Sequence, residues 1–168
     1  MTQKGFVKVL KKEKYSYEIE GDKIFVTYKD DVWLGSITSL PTGVEFKNKG
    51  DVWLESLTSL PTGVKFKNKG HVYLGDLTSL TPGVEFNNRG SVLLYSLKTL
   101  PLGVEFNNEE EIFLDSVTSL PPGVEFKNGG DVYLNDLIDG YFDDWKGNIE
   151  GIDSKRLLNF MISKGMFI

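Results

Sequence analysis

From residue 31 onward the apolar positions come round every twenty residues. Val32, Val52, Val72, Val92, Ile112 and Val132 form one column, and two residues later Leu34, Leu54, Leu74, Leu94, Leu114 and Leu134 form another. The second half of each unit adds Val44 to Val124, Phe46 to Phe126 and Asn48 to Asn128, all at the same step. A single variable residue separates Val from Leu and Val from Phe, so the apolar letters alternate, as they do in a strand with one buried face. Each unit is therefore expected to hold two short strands. Between them stand Pro41, Gly43 and their equivalents; Gly accepts dihedrals other residues resist, while Pro fixes φ and removes a donor.

A fixed period near twenty with no helical segment inside it marks a solenoid. The expected fold is all-β: a parallel β-solenoid of ~20 residues per coil, its coils ~4.8 Å apart as strands in any sheet are. The constant columns become stacks, Leu on Leu and Phe on Phe, with an asparagine ladder in which side-chain amides bond to the same amide one coil away. Five full units span 31–130 and a partial one 131–137, which sets the solenoid at 29–137.

A bare terminal coil is an open edge, so both ends call for covers. Residues 1–28 are expected to form an N-terminal β cap: "FVKVL" and "KIFVTY" read as strands, and Ile24 and Val26 fall in register with Val44 and Phe46. Residues 138–168 are expected to form a C-terminal α-helical cap, its helix near 153–164. Asp153 would be the N-cap, Ile152 and Leu157 a hydrophobic staple, and Gly165 the stop, with Leu157, Leu158, Met161 and Ile162 on the buried face.

Function has to be sought in the letters that vary. If Val and Leu point inward, the column between them, Trp33, Trp53, Tyr73, Leu93, Phe113 and Tyr133, points outward. Such a stripe covers on the order of several hundred Å², more than a monomer normally leaves bare, and Trp and Tyr are the residues that anchor interfaces. A protein-binding surface, or self-association into a homo-oligomer, is one expectation. The competing one seals the column inside a thick coil wall; protection of Trp33 and Trp53 from an aqueous quencher separates the two.

A second outward column reads Glu45, Lys65, Glu85, Glu105 and Glu125. Lysines crowd the early coils and carboxylates the late ones, so the array is expected to be basic near its start and acidic toward its end. Solvated faces ordinarily explain such runs; the functional reading is steering of a charged protein partner. Lys65, set between Glu45 and Glu85, argues against nucleic-acid binding and breaks the glutamate column that DNA mimicry would need. The Thr38, Thr58, Thr78 and Thr118 column with its adjoining serines is read as local turn chemistry.

Composition narrows the classes further. The chain has 168 residues, a net charge of −5, no cysteine and 40% hydrophobic residues. Thiolate chemistry and disulfides are excluded, and alanine, the best helix former, is absent. Apolar runs are too short to span a bilayer, and the charged start lacks the pattern of a secretion signal; a cytoplasmic location is the expectation. The single histidine, His71, occupies a column otherwise held by Asp, Ser or Glu and reads as a surface residue. G-x-S-x-G, H-E-x-x-H and phosphate-loop motifs are missing, and the acidic stretch "DLIDGYFDDWKG" lacks the spacing of a calcium loop. No catalytic centre, cofactor or metal is expected.

The phrase "LTSLPTGV" at 57–64, with its counterparts in other units, resembles the short leucine-rich repeats of bacterial proteins, in which L-x-x-L-P precedes a strand. The chain is similar over about 31–137 to LRR-like 20-residue-repeat proteins of tailed phages and bacteria. It departs from the usual pattern in having V-x-F-x-N where L-x-x-L-x-L-x-x-N would stand, which favours a narrow β-solenoid over a horseshoe. The resemblance implies a recognition scaffold that binds another protein. A phage-encoded inhibitor of a bacterial host or defence protein, anti-CRISPR-like or otherwise counter-defensive, is its concrete form. The alternatives are a glycan-binding or tailspike-like β-helix module, whose aromatics stack on sugar rings, and a DNA-mimicking solenoid.

Overall fold

The computed structural model describes residues 1–121 and 124–136. The expected C-terminal cap at 138–168, with its helix near 153–164, lies outside the described residues. Within them the repeats stack as a parallel β-solenoid of about five turns, coil directly over coil. Sheet A contains Val44–Phe46, Lys65–Phe66, Glu85–Phe86, Glu105–Phe106 and Glu125–Phe126. Sheet B contains Val32–Trp33, Val52–Trp53, Val72–Tyr73, Val92–Leu93, Ile112–Phe113 and Val132–Tyr133. Register runs at the repeat step, Phe46 against Phe66 and Trp33 against Trp53.

Beyond the two strands per coil that the sequence predicts, a third side also pairs. Ser59–Leu60 lies parallel to Ser79–Leu80, and Thr99 bridges Ser119. The "TSL" segment runs extended once Leu60 commits to the core, and its backbone then meets the equivalent backbone one coil away, Thr78 N–H donating to Thr58 O at 3.0 Å. Each coil is thus three-sided. The corners follow from sequence: Gly63 sits at φ 78°, a left-handed value that L side chains rarely adopt. Gly70 fits where an added Cβ would lie 2.7 Å from the Asp51 backbone nitrogen.

The interior is filled by the constant columns. Val52, Leu54, Leu57, Leu60, Val64 and Phe66 of one coil are all fully buried. The Phe66 ring lies over Phe46 and under Phe86 with centroids 5.3 and 5.2 Å apart and planes within 4°. Full burial of a Phe contributes about 1.5–3 kcal/mol, and the coil repeats that gain at each turn.

The asparagine ladder takes a different form from the one expected. Asn68 Nδ2 donates to three backbone carbonyls, Gly70 O at 2.9 Å, Gly50 O at 3.1 Å and His71 O at 3.2 Å, rather than to a neighbouring amide. The corner turns carbonyls of two coils toward one point, and a backbone acceptor held rigidly there wins over a side chain that must be held by its own rotamer. Asn48 and Asn88 repeat the arrangement.

The start of the chain corrects the β cap expected over 1–28. "FVKVL" is helical, within the helix α1 (Gln3–Lys12). Phe6 and Leu10 are both fully buried against the core, and that i, i+4 pair outweighs the weak period-two reading of the same letters. Thr2 caps α1, accepting from Gly5 N–H at 3.1 Å. Strands β1 (Tyr17–Glu20) and β2 (Lys23–Val26) then form an antiparallel hairpin, and β2 joins sheet A with Ile24 opposite Val44 and Val26 opposite Phe46, the register expected. On sheet B the first strand has no coil before it. Its Trp33 N–H, on the side away from the next coil, donates to the Tyr15 hydroxyl at 2.8 Å, and that hydroxyl lies 3.2 Å from Trp33 O, so one side chain closes the open edge.

Candidate functional site

The Val-x-Leu alternation sends Val and Leu inside and places Trp33, Trp53, Tyr73, Leu93, Phe113 and Tyr133 on the outer face of sheet B, in one line. Trp33 is 56% exposed and Tyr133 39%, with the four between them half-buried by their neighbours. The rings lie face to face: Trp33 on Trp53 at 4.4 Å and 8°, Trp53 on Tyr73 at 3.5 Å and 9°, Phe113 on Tyr133 at 4.7 Å and 5°. Leu93 interrupts the stack. Beside it Tyr95, two residues along, leans on Phe113 with centroids 5.8 Å apart and restores aromatic cover.

Face-to-face stacking decides what the stripe shows. Both faces of Trp53 are covered by other rings, and Trp33, Tyr73, Phe113 and Tyr133 each turn one face to a stacked neighbour. The Trp53 indole nitrogen is covered and among the described residues has no hydrogen-bond partner, so what that ring offers solvent is hydrocarbon. Tyr95 is exposed and was not among the residues expected; its signal was a large side chain in a column otherwise held by Gly35, Glu55, Gly75, Asp115 and Asn135.

The charged column on sheet A is brought together as the repeat requires, Glu45, Lys65, Glu85, Glu105 and Glu125 in register. Its early members are largely occupied by one another and by their neighbours. Glu45 is buried, 3.4 Å from Lys47 Nζ and 3.1 Å from Lys67 Nζ, while Lys47 Nζ also lies 3.9 Å above the Phe25 ring. Lys65 Nζ bonds Glu85 at 2.5 Å, and that bond raises the lysine pKa above its ordinary value against an opposing effect of burial. Glu105 is exposed.

Charge is divided by face as well as along the axis. The six positions that begin each unit, 31–36 and their equivalents through 131–136, hold no lysine or arginine. One margin of the aromatic stripe carries Asp31, Asp51, Glu111 and Asp131; the other carries Glu55, Asp76, Asp115 and Asp136. Asp31 and Asp51 also build the coil, each accepting the backbone N–H that begins the next unit at 2.8 Å. His71, expected at the surface, is 39% exposed in its side chain and continues that ladder, Nδ1 accepting Ser91 N–H at 2.9 Å. Burial raises the pKa values of Tyr73 and Tyr95, with nearby carboxylates adding to it: Asp51 for Tyr73, Asp115 for Tyr95. Asp115 is itself pushed up, first by burial and then by the charge of Asp136, with Asn135 Nδ2 at 2.5 Å partly opposing.

Among the described residues no group of three or more His, Cys, Asp or Glu side chains is placed to hold a metal ion, and no helix is long and apolar enough to cross a membrane. Comparison with known proteins finds no match to the chain, whether a family model, a curated protein or a solved structure.

Proposed function

We propose that the chain is a non-catalytic scaffold that binds another protein through the outer face of sheet B, with Trp33, Trp53, Tyr73, Leu93, Phe113 and Tyr133 as the contact stripe. One observation carries this reading: a continuous apolar line in which Trp33 and Tyr133 stand 56% and 39% exposed, on a rigid stack of coils. The stripe is held in place before any partner arrives, so little side-chain freedom is lost on binding. Residues 1–28 serve in this reading as the cover of the first coil. The resemblance to phage and bacterial repeats supports inhibition of a host or defence protein as the form the binding takes.

Two other readings fare worse on geometry. Sugars stack on ring faces, and here the Trp53 faces are taken by Trp33 and Tyr73. DNA mimicry through the Glu45 column meets a glutamate already flanked by Lys47 and Lys67.

Retention from a bacterial lysate on immobilised wild-type protein and on the Trp33→Ser/Trp53→Ser double variant tests the proposal. A protein held by the wild type and lost from a double variant that still melts cooperatively is the expected result. A saccharide retained with no protein, or a protein retained equally by both, overturns it.

A further inference from the structure

Resting on that reading, we infer that the partner of the stripe is a cationic protein surface, with apolar groups at its centre and Lys or Arg on both sides of them. The stripe fixes the apolar centre. Its two margins fix the sign of the rest: Asp31, Asp51, Glu111 and Asp131 before the strand, Glu55, Asp76, Asp115 and Asp136 after it, with no lysine or arginine at any of the intervening positions. Glu55, Asp76, Asp131 and Asp136 are exposed. Potentials across an interface are arranged to be complementary, and like-charge juxtaposition is what excludes wrong partners.

The same arrangement excludes the simplest alternative occupant, a second copy docked stripe to stripe. A two-fold interface apposes the same patch to itself, and here both acidic margins would meet their own copies. Among the described residues, Lys47, Lys65 and Lys67 on sheet A do not offer a matching centre either, since they lie close to Glu45 or Glu85. Trp53, with both faces on other rings, also turns away the cation–π contact that needs a ring face, so cations of the partner belong over the carboxylates and its apolar groups over the stripe.

Two kinds of structural role could have accounted for the carboxylates. Asp31 and Asp51 do hold the backbone of the next unit. His71 performs that task without a carboxylate, however, so the task does not require acid. Glu55 and Asp76, on the other margin, are exposed, and among the described residues neither pairs with a lysine or arginine at salt-bridge distance.

Selection of a random twelve-residue peptide library on the full chain tests the inference. The expected pool is at least twofold richer in Lys and Arg than the input and carries apolar or aromatic residues beside them. Its leading peptide should bind the Glu55→Gln/Asp76→Asn/Asp115→Asn variant at least tenfold more weakly than wild type, and bind wild type more weakly as salt rises. Among the described residues none of these three side chains accepts a hydrogen bond from the backbone of a neighbouring coil, and a cooperative melt at or above the wild-type Tm confirms that the variant is folded. A pool that is neutral or acidic, or a peptide indifferent to the triple variant yet lost from Trp33→Ser/Trp53→Ser, overturns the cationic partner and leaves the stripe reading standing. Peptides indifferent to both variants, or no enrichment at all, overturn both. Sedimentation of the wild type at low salt closes the remaining route: a salt-sensitive oligomer that the triple variant abolishes identifies a second copy as the occupant and overturns the inference.

Discussion

Two aromatic ladders run along the described coils, one inside and one outside, and they obey different rules. The inner ladder is Phe in every coil, Phe46 through Phe126, with centroid spacings from 5.1 to 5.5 Å. The outer ladder changes from Trp to Tyr to Leu to Phe, and its spacings range from 3.5 to 4.7 Å among stacked pairs. A closed coil offers one volume at each level, and a residue larger or smaller than Phe would strain or leave void. The outer rings lie on the surface of the described coils, so they approach as closely as contact allows and tolerate a leucine. Uniformity reports enclosure; variety reports freedom, and freedom is where recognition can be written.

Truncating a ring on each ladder should separate them most. Phe86→Ala leaves a cavity between two stacked rings and is expected to lower stability by about 3–5 kcal/mol, read from urea denaturation. Trp33→Ala removes a ring that is 56% exposed and stacked on one neighbour, Trp53, worth about 0.5–1.5 kcal/mol. Equal losses would mean that the outer stripe is structural and would remove the main ground for reading it as a contact surface.

The polar columns repeat the contrast. Inside the corner, Asn recurs at 48, 68, 88, 108 and 128, and its amide gathers carbonyls. Outside, the column at 31, 51, 71, 91, 111 and 131 reads Asp, Asp, His, Ser, Glu, Asp. Asn68→Ala should cost about 1–3 kcal/mol by leaving buried carbonyls unpaired, and Asn68→Asp should cost more, because a carboxylate turns acceptors against acceptors. Asp51→Asn keeps an oxygen to accept His71 N–H and is expected to stay within about 0.5 kcal/mol of wild type. Thermal melts of the three variants side by side check the order.

Much of this was legible in the letters, for an identifiable reason. Columns such as Val32 to Val132 and Phe46 to Phe126 repeat one environment several times, so noise at any single position averages out, and register followed directly. The start of the chain offered no such repetition. "FVKVL" could be read with either period, and only the placement of Phe6 and Leu10 on the core settled it as α1. The bonds of the asparagine ladder were hidden too, since sequence shows that amides stack but not where backbone carbonyls turn. Tyr95 was missed because one large residue in a variable column looks like any other variation until Leu93 is seen beside it as a gap.

The smallest expected effect sharpens the outer half of the comparison from the side of charge. The carboxyl of Asp115 is raised above its ordinary value of 3.8, chiefly by burial and further by Asp136. The unfolded chain therefore gives up this proton at lower pH than the folded one, and as pH climbs past 3.8 the fold binds more protons than the unfolded state. Stability must fall over that interval, and the loss stays in place once pH has passed the folded value. Asp115→Asn keeps an oxygen within reach of Asn135 Nδ2 and removes the charge, so it should leave Tm unchanged near pH 3 and raise it near pH 7. A surface carboxylate of no electrostatic consequence would show the same Tm difference at both values. The expected asymmetry would instead mark the margin of the stripe as a place where the chain holds negative charge at a cost to its own fold, which is the expected signature of charge kept for a partner rather than for stability.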